Sequence, residues 1–214
     1  MINKMKGIRK LVNEITHFLE QYATTKSEKE IVTILKNLYL EQSNFFSQEK
    51  NTIPKETSLI QAISLIEFEP LLPIKRVLGD IFSDLTWNID NGTFYRKNSK
   101  IGEQYINGNM HTEIIGPING SFKCSDLRLG LFLLEPNIFY KDHKHEASEL
   151  YLNLTSGTDW RFEGTSWQEK QQGSVLYNEP YKVHAMRTHQ LPFLSVWCWS
   201  ANSSKKCILV SRGE

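Results

Sequence analysis

The chain has little sulfur chemistry to offer. Three cysteines in 214 residues, Cys124, Cys198 and Cys207, are odd in number and form no CxxC pair, which argues against a disulfide framework or a thiolate zinc site and fits a reducing compartment. Charge of one sign is also missing. Lys plus Arg is 25 and Asp plus Glu is 24, so nothing electrostatic recommends nucleic acid or an anionic membrane as a partner. No window approaches eighteen apolar residues, and the N-terminus alternates charged with apolar positions and carries no continuous apolar core, so no span or secretory leader is expected. A Gly-rich phosphate loop, a nucleophile elbow and a dinucleotide fingerprint are absent too, which removes the common nucleotide and serine-hydrolase classes. The expectation is a soluble, cytoplasmic protein.

What is present divides into two textures. Over residues 1–90 apolar residues recur at helical spacing: Ile8, Leu11, Val12, Ile15, Phe18, Leu19 and Tyr22, then Ile31, Ile34, Leu35, Leu38 and Tyr39. Between them Ser27 and Glu30 have capping-box spacing. A third helix is expected from about Ser58 to Phe68, ended by Pro70, and a fourth with Pro73 in its first turn and Ile74, Val77, Leu78, Ile81 and Leu85 on one face. Residues 91–214 form the second part: "NIDNGTFYRK" has an Asn-Gly turn followed by an aromatic, β-branched run, and from about residue 111 the chain alternates short strand-like runs with turns. This reads as a mostly β protein, a C-terminal β-barrel preceded by a helical segment. The apolar helix faces need cover, either on the barrel itself or in a homodimer.

The segment "YKDHKHEASELY", residues 140–151, concentrates the chemistry. On a strand, His143 and His145 point to one face, with Glu149 and Tyr151 at the same parity. Asp142 and Glu146 take the opposite parity and are expected to face solvent. His-x-His alone is as well explained by a polar turn. With Glu149 and a later strand histidine, His184, it makes a mixed nitrogen and oxygen set suited to one divalent first-row metal, with iron, manganese, zinc, cobalt and nickel all open. His111, His189 and His17 lack such company.

The run His143, His145, Glu149, followed by Gly173, Pro180 and His184, resembles the two motifs of the cupin barrel. The turn residues depart from it: Asn137 stands where a glycine is expected, Gly157 is displaced by one, and Thr188 replaces an asparagine. A narrower pattern, Tyr140, His143, His145, Glu149 and Tyr151, is similar to the signature of the bacterial cupin-type dimethylsulfoniopropionate (DMSP) lyases. The resemblance covers roughly residues 110–210 and implies a metal-dependent β-elimination giving dimethyl sulfide and acrylate. It assigns Tyr151 as base, leaving Tyr140 an orienting or metal-proximal role. The small sulfonium carboxylate would need an aromatic wall. Strand alternation in "FLSVWCWS" puts Trp197 and Trp199 on one face, with Trp199 favoured by the resemblance and Tyr177 a further candidate. The same ligands could also serve a cupin dioxygenase or isomerase, or a non-catalytic ligand-binding cupin.

Overall fold

The computed structural model describes residues 2–210. Four helices come first: α1 (Ile2–Tyr22), α2 (Lys26–Lys36), α3 (Glu56–Ser64) and α4 (Leu72–Ile81). Helix α1 buries Ile8, Leu11, Val12, Ile15, Phe18 and Leu19, the stripe its spacing predicts. The cap of α2 lies two residues earlier than Ser27 and Glu30. Thr25 accepts from Glu28 N–H at 3.3 Å, and Glu28 Oε2 accepts from Thr25 N–H at 3.0 Å and Thr24 N–H at 2.7 Å. That choice wins because it lets Ile31, Val32 and Leu35 face inward while Glu28 is buried against the chain it caps. Helix α3 stops at Ser64, short of Phe68, and α4 begins at Leu72 with Pro73 in its first turn.

Two sheets follow. The six-stranded one runs β2 (Phe122–Lys123), β1 (Asn109–Gly116), β3 (Leu127–Leu134), β10 (Phe193–Ser200), β5 (Ser148–Asn153), β8 (Val175–Asn178). The five-stranded one runs β11 (Ile208–Leu209), β4 (Phe139–Lys144), β9 (His184–Thr188), β6 (Thr158–Phe162), β7 (Gln168–Lys170). All neighbours are antiparallel except β1 and β2. This is a cupin, or double-stranded β-helix, barrel preceded by helices.

The six-stranded sheet works on both faces, so its strands read as nearly continuous apolar runs. Leu129, Leu131, Leu133, Leu150, Leu152, Leu194, Val196 and Cys198 point outward into one core with the helices. The apolar helix stripes are therefore covered by the chain's own barrel. A fully buried Leu or Ile there contributes about 2 kcal/mol. The alternate residues, Phe132, Leu134, Tyr151, Phe193, Trp197 and Trp199, face the barrel interior with Tyr140, Trp160 and Met186 of the other sheet.

The connection into β1 departs from the β-like texture of its sequence. "NIDNGTFYRK" forms no strand; it is a strap, tied by bridges from Asn88 to His111 and from Tyr95 to Cys207. A short helix, α5 (Glu103–Gly108), returns the chain to β1. Asn137, by contrast, serves its turn without being glycine. Its φ of 60° is left-handed, a conformation that asparagine tolerates better than other side chains. Among the described residues no helix is long and apolar enough to cross a membrane, and the three cysteines are free thiols.

Candidate metal centre

β4 carries two residues whose spacing should set them on opposite faces. Tyr140 pairs with Met186 and His143 with His184, so β4 spends three steps where β9 spends two. That extra residue is a β-bulge, and it turns Tyr140 and His143 to the same side. Their rings stack with centroids 4.3 Å apart. The bulge also changes the fate of Asp142, which is buried and ion-paired with Arg161 of β6 rather than facing solvent.

Three histidines converge at this point. One ring nitrogen from each of His143, His145 and His184 lies within 4.8 Å of the other two, and all three residues are buried. In each ring Nδ1 meets a backbone carbonyl: Lys141 O at 2.8 Å, Ala147 O at 2.9 Å and Lys182 O at 3.0 Å respectively. A carbonyl only accepts, so each Nδ1 carries a hydrogen; Nε2 of His143 and His184 is left to present a lone pair, while Nε2 of His145 faces the Glu149 carboxylate at 3.0 Å and donates to it when protonated. His184 Nε2 makes no hydrogen bond; the Glu149 carboxylate lies 3.3 Å from it. Three convergent imidazole nitrogens beside a carboxylate fit a cation, and the backbone carbonyls supply the outer contacts that orient ligand histidines.

Glu149 is held from several sides. Oε2 sits 3.0 Å from His145 Nε2 and accepts from Asn178 Nδ2 at 2.8 Å. Oε1 accepts from Trp199 Nε1 at 2.5 Å. Burial alone would raise its pKa, but His145 and His184 outweigh that and hold it well below the usual carboxylate range. His143 goes the other way, pushed well down by burial and by its two imidazole neighbours. Burial also works against charge on His145, yet Glu149 and the Ala147 carbonyl leave its pKa raised.

The site opens into a cavity of about 40 Å³ lined by His143, Glu149, Tyr140, Tyr151, Trp197 and Trp199, together with Asp90, Phe94, Tyr105, His111, Phe132 and Cys207. Tyr151 lies opposite Trp197 in the β5–β10 register and edge-on to Trp160 at 4.9 Å. Burial and the Glu149 carboxylate push its hydroxyl well above the ordinary tyrosine value. Tyr140 accepts from the Tyr95 hydroxyl at 2.7 Å and stacks on Tyr105 at 4.4 Å; burial raises it as well. Trp197 donates to Leu131 O at 3.3 Å.

Tyr177 does not join this group. It pairs with Leu150 on β8 and packs with the outer core under the helices. His189 lies on the surface, 3.3 Å from Asp159, and His17 bonds Gln21 on α1. His111, which no motif marks, does line the cavity. Burial lowers its pKa to about 4. It lies on β1 opposite Phe132 of β3, with its backbone also bridged to Asn88 of the strap, and no motif spacing marks it.

The sequence model of the dimethylsulfoniopropionate lyase family matches residues 12–195. The chain belongs to that family. It is 24% identical over 101 residues to dimethylsulfoniopropionate lyase DddQ of Ruegeria pomeroyi DSS-3, a stretch covering 47% of this chain and 50% of that one. The chain thus aligns with about half the length of the curated relative it matches. In structure it is similar to a chain from the crystal structures of the DMSP lyases RdDddP and RnDddQII, with a TM-score of 0.70 and 14% identity over 97% of this chain and 100% of the other. It is also similar to crystalline DddQ from R. pomeroyi, with a TM-score of 0.64 and 18% identity over 96% and 99%. These two likenesses show that the helical segment and the barrel share one fold with those proteins.

Proposed function

We propose that this protein is a metal-dependent DMSP lyase in which Tyr151 is the base. The observation that carries the reading is the convergence of His143, His145 and His184 beside a cavity lined by His143, Glu149, Tyr140, Tyr151 and the indoles of Trp197 and Trp199. Family membership supports the substrate and the reaction class.

His143, His145 and His184 would hold the ion, with Glu149 as the fourth ligand. A divalent cation there would supply Lewis acidity for the substrate carboxylate and would favour a tyrosinate close by. Imidazole and carboxylate ligands accept iron, manganese, zinc, cobalt or nickel alike.

Tyr151 oxygen takes the proton from the carbon next to the carboxylate. The electron pair of that C–H bond becomes the new carbon–carbon π bond, and the carbon–sulfur bond breaks with its pair going to sulfur. Neutral dimethyl sulfide and acrylate result, and no acid is needed for the leaving group. Tyr140, whose hydroxyl is fixed by Tyr95, orients the substrate. Trp197 and Trp199 present ring faces to the sulfonium methyl groups.

The test is to supply the purified protein with manganese, iron or zinc and DMSP, and to measure dimethyl sulfide in the headspace. Release that stops with chelator and does not consume oxygen is the expected result. No release from the folded, metal-loaded protein would remove DMSP as the substrate and return the dioxygenase and ligand-binding readings.

A further inference from the structure

The cavity contains a carboxylate that the elimination does not use. Asp90 lies in the strap between the helices and β1 and is 3% exposed. Asn109 fixes its backbone from both sides, donating to Asp90 O at 2.9 Å and accepting from Asp90 N–H at 2.8 Å. The carboxylate is then aimed by neutral donors. Gly92 N–H gives to Oδ1 at 2.9 Å and the Tyr105 hydroxyl to Oδ2 at 3.1 Å, with the Thr93 hydroxyl at 3.4 Å from Oδ1. Gly92 has a φ of 98°, which lets the strap turn tightly enough to make that bond.

No lysine, arginine or histidine among the described residues forms an ion pair with Asp90. His111 lies near, but burial keeps its pKa at about 4, so it is neutral near pH 7. Arg128 is engaged by Glu113, lies over the Phe94, Trp197 and Trp199 rings at 4.8, 5.7 and 5.7 Å, and lines a wider outer cleft instead of this cavity. A buried carboxylate without a counter-ion is costly, and a cation entering beside it is favoured.

The rings next to it suit such a cation. Phe94, Trp197 and Trp199 share the cavity with Asp90, and their centroids are 5.9 to 6.2 Å from one another. The cavity therefore has two unlike poles. His143 and Glu149 belong to the candidate metal pole; at the other, Asp90 shares the cavity with three aromatic rings that already attract one cation, Arg128, from the outer cleft.

We infer that Asp90 is a specificity-determining residue, the fixed negative charge that selects substrates with a cationic group at the end remote from their carboxylate. The identity of that substrate as DMSP rests on the lyase reading; the preference for a cation does not. The sulfonium is cationic in the ground state and loses its charge as dimethyl sulfide departs. Asp90 thus favours the bound substrate over the departing product, and its loss should fall on KM and not on kcat.

The experiment compares two ligands of one shape, by calorimetry on the metal-loaded protein. One is 4,4-dimethylpentanoate, in which a neutral quaternary carbon replaces the cationic centre; the other is the quaternary ammonium acid 3-(trimethylammonio)propionate. Wild type should bind the cation roughly tenfold or more tightly than the neutral acid, and Asp90→Asn should abolish most of that ratio while leaving the neutral acid within about twofold. Asp90→Glu should keep the preference. Asp90→Ser, whose hydroxyl still accepts from Gly92, is the second charge-free variant should the asparagine form fail to fold. With DMSP, the asparagine variant should show KM raised about tenfold. An equal loss for both ligands would make Asp90 merely structural, and an unchanged ratio would overturn the inference. Wild type that releases no dimethyl sulfide yet prefers the cation through Asp90 would sink the lyase reading and leave this one standing.

Discussion

Trp199 Nε1 donates to Glu149 Oε1 at 2.5 Å, and the two residues are direct partners in the β10–β5 register. An indole expected only to offer its face to a cation also clamps the carboxylate beside the histidines. Trp199→Phe keeps an aromatic face and removes the donor. Outer contacts of this kind are worth about 10- to 100-fold in metal affinity, so the variant should bind zinc at least tenfold more weakly in a chelator competition, with a melting temperature near wild type in the metal-free form.

Tyr151→Phe separates the base from the scaffold. The ring still fills the place against Trp160 and opposite Trp197, and the three histidines keep their backbone contacts. Proton transfer by a positioned group is worth about 10²- to 10⁴-fold, and kcat for dimethyl sulfide release should fall by that order while metal content stays constant. Turnover at the wild-type rate would show that another group takes the proton.

His111 should shape the acid limb of stability. Its folded pKa of about 4 lies below the ordinary 6.5 because burial disfavours the imidazolium. The unfolded chain therefore binds more protons than the folded one between those values, and stability falls as pH drops through that window, by up to roughly 3 kcal/mol. His111→Gln, which cannot titrate, should flatten the curve relative to wild type between pH 6.5 and pH 4. Urea titrations at several pH values would show it, and parallel curves for the two proteins would refute the assignment.

Local rules go far on the helices and stop at the contacts between distant segments. Spacings of three and four define the buried stripes of α1 and α4, and alternation in β10 puts Trp197 and Trp199 on one face. The cap of α2 fails by two residues, since Thr25 with Glu28 and Ser27 with Glu30 satisfy the same local spacing and only tertiary burial chooses between them. The bulge in β4 has no local mark, so a period-2 reading leaves Tyr140 and His143 opposed when they are stacked. Asp90 is brought to the cavity by a strap without regular structure, and no period describes a strap.

The cap itself can be tested. Thr25→Ala removes the hydroxyl that accepts from Glu28 N–H and should cost about 1 kcal/mol. Ser27→Ala, which alters no cap contact, should stay within about 0.5 kcal/mol of wild type. Chemical denaturation of the pair distinguishes the two boxes directly, and the opposite order would restore Ser27.

Gly130 ties the sheet to the cavity. It sits on β3 opposite Trp197 of β10 and Glu113 of β1. A Cβ at this position would come within 1.9 Å of Thr112 O and 2.8 Å of Trp197 Nε1. The first contact is with backbone inside a continuous sheet and cannot relax cheaply; the second pushes on the indole that donates to Leu131 O. Gly130→Ala should therefore lose about 1 to 3 kcal/mol, the usual cost of overpacking, and should also shift the tryptophan fluorescence of the folded protein. If Trp197 forms part of the cation wall, KM for DMSP should rise in the same variant while metal affinity holds, because His143, His145, His184 and Glu149 lie on other strands and turns. A stability loss with KM unchanged would leave Trp197 as a core residue and assign the aromatic wall to Phe94 and Trp199.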